Sequence, residues 1–175
     1  MRGCRFLQNE ENLRMHGKWD RYVFLSLLVL LLSGISYAHW KGQQQDEQFQ
    51  KDYAEYQQAV QLMQQGRAEQ ALPLLQSLLG KYSDRYNIMR TLGLAYAMKN
   101  DFQKAAFYYE KAIRKRPFLQ QDPIFTLQFG EILYYNGEYA KAKAYLEQSK
   151  QLPGSETYHA RIDELLSQIQ HQKSS

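Results

Sequence analysis

The stretch from Met89 to Pro117 constrains the fold more than any other part of the chain. It contains a motif of spaced residues: Met89-x-x-Leu92-Gly93-x-x-Tyr96, then Ala105-x-x-x-Tyr109, then Pro117. Gly93 and Ala105 are small, which allows two helices to approach closely at these positions. The larger side chains of the pattern fill the space around that contact. Pro117 ends the second helix because proline has no backbone N–H to continue it. The stretch therefore predicts a pair of closely packed helices.

The same pattern recurs on both sides of this stretch. Thirty-four residues toward the N-terminus, Asn100, Ala105 and Tyr109 are matched by Gly66, Ala71 and Leu75. Thirty-seven residues toward the C-terminus, the matching residues are Gly137, Ala142 and Leu146, with Phe129-Gly130 in place of Leu92-Gly93. The three extra residues fall near Gln120–Asp122, between helices, where an insertion is tolerated. The chain thus contains an internal repeat.

The repeated pattern resembles the tetratricopeptide repeat family, whose unit is a helix–turn–helix of about 34 residues. Met89 stands where the family usually has Trp. The resemblance implies an all-α fold, an α-solenoid of three repeats over residues 52–85, 86–119 and 123–156. The first repeat is degenerate, with Glu55, Gln58 and Ala59 at its motif positions.

Periodicity and caps locate the individual helices. They are predicted over residues 52–64, 68–80, 86–98, 102–115, 123–135 and 139–151. Asp101 can cap the helix that begins at Phe102, and Asp122 can cap the next helix, with Pro123 in its first turn. Pro153-Gly154 closes the last repeat.

A further helix is predicted over residues 157–171. Its apolar stripe consists of Tyr158, Ile162, Leu165, Leu166 and Ile169. Its opposite, solvent-facing side consists of His159, Arg161, Asp163, Glu164, Gln168 and Gln170. A helix with one apolar face after the last repeat is the capping helix that such stacks require.

An apolar run of 17 residues, Tyr22 to Ala38, precedes the repeats. With its flanking aromatics, Trp19 to Trp40, it spans roughly 32 Å as a helix, the distance between two membrane interfaces. We therefore predict a transmembrane helix over residues 22–40. The alternatives are a signal peptide cleaved after Ala38, where small residues precede the bond, and a buried core helix.

The charges flanking the apolar run predict its orientation. Arg14, Lys18 and Arg21 precede it, whereas Lys41 alone follows immediately. Residues 1–21 are thus expected as a cytoplasmic tail and the repeats outside the cytoplasm, in a single-pass protein of the cell membrane. A start at Met15 would also leave a normal n-region, which would make residues 1–14 an extension or a short disordered tail. Residues 41–51 form a polar linker that is either a helical stalk or a flexible spacer.

Composition argues against several functions. From His39 onward the chain carries 17 Lys and Arg against 15 Asp and Glu, too small and too interspersed an excess for nucleic-acid binding. Arg114-Lys115-Arg116 ends a helix, where cations are favoured by the helix dipole; a phosphate or lipid-headgroup patch is the alternative.

The single cysteine, Cys4, cannot form an intrachain disulfide. The four histidines lack metal-ligand spacing and no catalytic motif is present, so no enzyme activity, catalytic residue, metal or cofactor is predicted.

The family resemblance implies a concave groove, lined by the first helix of each repeat, that binds a protein or peptide partner. The candidate residues are Tyr53, Tyr56, Met63, Asn87, Arg90, Met98, Leu127, Glu131, Tyr134 and Tyr135. Much of this stripe could instead pack helix against helix, and Glu131 could pair with water or Arg90. Family members that clamp a peptide carboxylate use Lys, Asn and Arg on these helices. The matching positions here are Tyr56, Val60, Thr91, Ile124 and Gln128, which favours an apolar or amphipathic ligand.

The function expected from these features is a membrane-anchored extracytoplasmic adaptor. It would act as a scaffold in an envelope process such as assembly, secretion or maturation. Two alternatives remain at this point: a structural protein that self-assembles through its repeats or membrane helix, with homo-oligomers possible, and a secreted soluble repeat protein released by signal cleavage.

Overall fold

A computed structural model of the protein describes residues 4–174, and these divide into two units between Lys51 and Asp52. The α-helices of the described part are α1 (Cys4–Gln64), α2 (Ala68–Lys81), α3 (Tyr86–Met98), α4 (Phe102–Lys115), α5 (Pro123–Tyr135), α6 (Tyr139–Gln151) and α7 (His159–Ser174). Two short 3₁₀ helices cover Pro117–Gln121 and Glu156–Tyr158. No strand occurs in residues 4–174. The all-α prediction is confirmed.

The predicted boundaries of the second to sixth repeat helices agree with the structure to within one residue, whereas the first repeat helix ends at Gln64 as predicted but has no boundary at residue 52. The predicted first helix is the C-terminal end of α1, and the others are α2 to α6. Asp101 caps α4 by accepting from the backbone N–H of Lys104, and Asp122 caps α5 by accepting from the N–H groups of Ile124 and Phe125. The predicted final helix begins later than expected, at His159, because Glu156–Tyr158 form a 3₁₀ turn.

The turns between paired helices explain why Gly66, Asn100 and Gly137 are equivalent in sequence. All three have positive φ angles, of 75°, 61° and 80°. The residue after each turn donates its N–H back across the last helical turn, as from Asp101 to the carbonyl of Tyr96 at 3.0 Å. This is the left-handed helix ending that Gly adopts without strain and that Asn tolerates better than most residues.

The paired helices are closest at the predicted small residues. A Cβ atom at Gly93 would lie 2.6 Å from Cδ2 of Tyr109, and one at Gly130 would lie 2.8 Å from Cγ of Leu146. Real Cβ atoms do not approach other atoms so closely. The equivalent residue of the first repeat, Ala59, is fully buried. The small residues are therefore required where α3 meets α4 and where α5 meets α6.

The core of the second unit is continuous from the end of α1 to α7. At its centre the ring of Tyr109 stacks on Phe125 and Phe129, with ring centroids 4.8 and 5.5 Å apart. Such offset stacking adds to the free energy gained from burying the rings. The last helix contributes Ile162, Leu165 and Ile169, all buried, so its predicted apolar stripe packs on the third repeat as expected.

The first unit consists of the N-terminal part of α1. Within the described residues, one helical segment, Arg21–Gln64, is long and apolar enough to cross a membrane, and its apolar side chains from Tyr22 to Trp40 are exposed. The alternative of a buried core helix does not fit that exposure. Residues 41–51 are helical, and so are residues 4–14. Residues 1–3 lie outside the described residues.

We predict that Gly93→Ala and Gly130→Ala each destabilise the repeats, because the new methyl group collides with Tyr109 or Leu146 across a helix pair. Overpacking of this kind costs about 1–3 kcal/mol. Urea unfolding of residues 41–175, followed by circular dichroism at 222 nm, measures the change.

The matched control is Gly80→Ala, since Gly80 is an exposed helical residue whose Cβ would meet nothing within 4 Å. It should leave stability unchanged or raise it by up to about 1 kcal/mol, because Ala favours a helix. If all three variants behaved alike, close helix approach would not be the reason for the small residues.

Candidate functional site

A pocket of about 460 Å³ lies between the end of α3, the start of α4 and the middle of α5. Its lining is mainly apolar and consists of Leu94, Ala97, Met98, Asn100, Phe102, Gln128, Glu131, Ile132 and Tyr135. Two successive first helices, α3 and α5, supply most of this surface, which is the face on which the groove was predicted. We call this surface the α3–α5 pocket.

Three of the predicted groove residues, Met98, Glu131 and Tyr135, meet in the α3–α5 pocket. Met98 is 46% exposed and Tyr135 is 50% exposed, although both are large and apolar. Phe102 was not among the predicted groove residues, although its ring stacks on Tyr135 at a centroid distance of 4.9 Å. Its position in the sequence could have indicated this role. Phe102 directly follows the Asp101 cap, and the first residue of α4 lies close to the end of α3.

Two other predicted groove residues are engaged within the protein. The hydroxyl of Tyr56 on α1 lies 2.9 Å from Oγ1 of Thr91 on α3. Arg90 on α3 donates to Oε1 of Gln128 on α5 at 3.0 Å, and its guanidinium lies over the ring of Phe125. These side chains link successive first helices, so each would have to break an internal contact to bind a partner.

Glu131 has a different partner from the one suggested by sequence. It pairs with Arg161 on α7. The Nε and Nη2 atoms of Arg161 both donate to Oε1 of Glu131. Arg161 also donates to Glu164 at 2.8 Å and lies 3.5 Å from the hydroxyl of Tyr135. The proposed pairing of Glu131 with Arg90 is therefore wrong, because Arg90 reaches toward Asp122 and Gln128 instead. Arg161 itself belongs to the predicted polar face of α7, and its side chain remains 38% exposed.

The remaining predicted residues differ widely in exposure. Leu127 is only 7% exposed and belongs to the core, so it does not line the groove to which the family resemblance assigned it. Tyr134 is partly buried against Tyr139 and Tyr135. Met63 is half-buried, whereas Tyr53 and Asn87 are exposed. The last two lie outside the α3–α5 pocket.

Gln128 connects the pocket to the core. Its Oε1 atom accepts from the hydroxyl of Tyr109 at 3.0 Å as well as from Arg90. Burial raises the pKa of the Tyr109 hydroxyl well above its ordinary value, so this group stays neutral and acts as the donor. The amide of Gln128 is thereby held in one orientation at the pocket wall.

A second polar anchor fixes the first helix pair. The buried carboxylate of Asp52 accepts from Lys81 at 2.7 Å and from the hydroxyl of Tyr82 at 2.8 Å. The hydrogen bond to Asp52 raises the pKa of Lys81 above its ordinary value. Within the described residues no group of three or more His, Cys, Asp and Glu side chains is arranged to hold a metal ion.

A family model described as a tetratricopeptide repeat-like domain matches residues 15–173 of the chain. The chain belongs to this family. The matched range covers every repeat helix and α7, as well as the apolar segment that precedes them. A comparison with curated protein sequences gives no match.

Several solved structures share the tetratricopeptide repeat fold of this chain. The secretion chaperone SycD of Yersinia enterocolitica, in complex with a peptide of the translocator YopD, has a TM-score of 0.59 and 21% identity over 69% of this chain and 93% of that chain. PcrH, in complex with the chaperone-binding region of PopD, has a TM-score of 0.59 and 17% identity over 73% and 95% of the two chains. The first repeat domain of Spaghetti (RPAP3), bound to an HSP90 peptide, has a TM-score of 0.60 and 14% identity over 72% and 95%.

We predict that the Glu131–Arg161 pair holds α7 against the third repeat of this tetratricopeptide repeat protein. In a double-mutant cycle of Glu131→Ala and Arg161→Ala, urea unfolding should give a coupling free energy of about 0.5–1 kcal/mol, since the pair is only partly buried. The exposed pair Lys143–Glu147 on α6, with charged atoms 3.6 Å apart, is the matched control and should couple more weakly. Equal coupling for both pairs would contradict a role for Glu131 in seating α7.

Proposed function

We propose that the protein is a membrane-anchored, extracytoplasmic adaptor that binds an apolar or amphipathic segment of a protein partner in the α3–α5 pocket. The observation that carries the proposal is the pocket itself. Its exposed apolar side chains, Met98 and Tyr135, lie on the face formed by successive first helices, and the half-buried Phe102 at the start of α4 adjoins them. The adaptor would act as a scaffold in envelope assembly, secretion or maturation.

The composition of the pocket supports protein binding. Aromatic residues and Met are over-represented among the residues that dominate binding free energies, and Met adapts to differently shaped ligands. Structures of the same fold have been solved with a YopD peptide and with the chaperone-binding region of PopD. These likenesses support a protein or peptide ligand for this chain too, and a non-enzymatic role.

The polar groups near the pocket favour an apolar ligand over a free carboxylate. Arg90 and Arg161 both contact lining residues of the pocket, and these contacts engage them with the internal acceptors Gln128 and Glu131. An acidic peptide such as SRMEEVD, which is bound by the first repeat domain of Spaghetti, would have to compete with those acceptors. An apolar side chain entering between Met98 and Tyr135 breaks no internal hydrogen bond.

The exposed apolar segment of α1 supports membrane anchoring. Its side chains from Tyr22 to Tyr37 lie open in the structure, where a soluble protein would lose free energy by hydrating them. Trp19 and Trp40 flank the segment and are also exposed. Trp at both ends suits the two membrane interfaces. The excess of Arg and Lys before the segment favours a cytoplasmic N-terminus.

We expect the full chain to remain in the membrane fraction after alkaline washing. Two charges at the centre of the apolar segment, Leu30→Arg/Leu31→Arg, should release it, because each Arg there costs about 2.5–3.5 kcal/mol on insertion. The control Leu30→Val/Leu31→Val keeps the segment apolar and should stay in the membrane. A C-terminal tag should be digested by protease added outside the cytoplasmic membrane.

Intact mass separates an anchor from a cleaved signal. Retention of Cys4 through Ala38 in the mature chain supports the anchor, whereas a chain that begins at His39 contradicts it. Protection of the C-terminal tag from external protease would contradict the extracytoplasmic orientation.

We expect partner binding to depend on the α3–α5 pocket. Met98→Ala/Tyr135→Ala removes two exposed side chains and should weaken binding by about 2 kcal/mol, roughly 30-fold in Kd. The ligand for this measurement is identified first. A cross-linker at position 98 captures the partner in cells, and mass spectrometry identifies it. The matched control is Phe107→Ala, since Phe107 is as exposed as Met98 but lies outside the pocket. Equal weakening by both variants, each with a native circular dichroism spectrum, would remove the pocket from the proposal.

A further inference from the structure

The outward face of α4 combines cations with an exposed aromatic side chain. Residues that recur on one side of this helix are Lys104, Phe107, Lys111, Arg114 and Lys115. Arg116 and Phe118 follow directly after the helix. Phe107 is 48% exposed and Phe118 is 65% exposed. We call this surface the α4 basic face.

Positive charge predominates on the α4 basic face. Its five cations are accompanied by two carboxylates, Asp101, which pairs with Lys104 at 2.8 Å, and Glu110, which lies 3.7 Å from Arg114. The ammonium group of Lys111 lies 4.8 Å from the ring centroid of Phe107. The charge of Lys111 therefore lies over the face of the Phe107 ring, a cation–π contact that brings a cation and an aromatic ring together on this surface.

The corresponding faces of α2 and α6 lack this combination. No large apolar side chain is exposed on either helix. On α6 the cations Lys141 and Lys143 pair with Glu138 and Glu147. The α4 basic face is therefore a local feature and not a general property of second helices in this chain.

A favourable helix dipole explains only part of this arrangement. Arg114 and Lys115 lie in the last turn of α4, where cations stabilise a helix. Lys104 and Lys111 lie earlier in the helix, and the dipole gives no reason to expose Phe107 and Phe118. A ligand surface that is both anionic and able to accept aromatic rings accounts for all of these residues together.

We propose that the α4 basic face binds the surface of a bilayer that contains anionic lipid. Lys and Arg attract the lipid phosphates, and exposed Phe rings enter the boundary between headgroups and acyl chains. The choice of a lipid surface over nucleic acid or an acidic protein rests on the proposed function: a chain anchored by its own apolar segment keeps this face at high effective concentration near a membrane.

The test uses the full chain with Cys4→Ser and one new cysteine, Gln103→Cys, labelled with an environment-sensitive fluorophore. Gln103 is exposed and adjoins the α4 basic face. In nanodiscs that contain phosphatidylglycerol, the emission should shift to the blue relative to phosphatidylcholine discs. The shift should be lost at about 0.5 M salt, where the Debye length falls to about 4 Å. A label at Ser77→Cys, exposed on α2, is the matched control and should not respond.

Neutralising the face should abolish the response. Lys111→Gln/Arg114→Gln/Lys115→Gln with Phe107→Ser changes surface side chains, and an unchanged circular dichroism spectrum verifies the fold. A blue shift that persists in this variant, that is equal in phosphatidylcholine discs, or that is absent from the parent chain overturns the proposal. A short DNA duplex that causes the same shift and prevents the response to lipid also overturns it, in favour of nucleic-acid binding.

Failure of the anchor would be visible separately. If the chain does not enter nanodiscs, as judged by flotation, the proposed anchoring is wrong, and vesicles of the same two lipid compositions are added to the lipid-free chain. A blue shift with phosphatidylglycerol vesicles then still supports lipid binding by α4, whereas no shift overturns it.

Discussion

The close contact between paired helices is the constraint on which the other features of the repeats depend. Gly93 and Gly130 leave no room for a Cβ atom because Tyr109 and Leu146 occupy that space. Once the second helix of a pair is held at this distance, its large side chains can reach the next repeat. Tyr109 does so by stacking on Phe125. The distance between the paired helices of one repeat thereby determines how the next repeat packs against it. A larger side chain at Gly93 would therefore change the contact between Tyr109 and Phe125 as well.

Polar links between successive first helices determine which side chains remain available to a ligand. Tyr56 is bonded to Thr91, Arg90 to Gln128, and Glu131 to Arg161. Because each link satisfies groups that would otherwise face the groove, charged recognition becomes costly there. The exposed side chains left at this face are mainly apolar. The fold thus favours one ligand chemistry through its internal hydrogen bonds, and not only through the residues that line the surface.

The helices could be predicted from the sequence because their causes are local. A cap at Asp122 and helical periodicity can both be identified within a few residues. The pocket was predicted less completely, since it depends on contacts between distant residues. Arg161 reaches Glu131 across 30 positions of sequence, and no periodic pattern indicates that pairing. Leu127 was assigned to the groove by its position in the repeat motif, and that position does not show whether a residue faces the groove or the core when α5 is apolar on both sides.

One helix, α4, contributes to two surfaces of different chemistry. Phe102 at its start lines the α3–α5 pocket, whereas Phe107, five residues later, lies on the α4 basic face. Five residues of an α-helix correspond to a rotation of about 140° beyond a full turn, so the two rings point to different sides. A ligand in the pocket would therefore leave the basic face uncovered. Both surfaces could be occupied together, and the buried alanines between them, Ala105 and Ala106, keep α4 packed in the same position in either case.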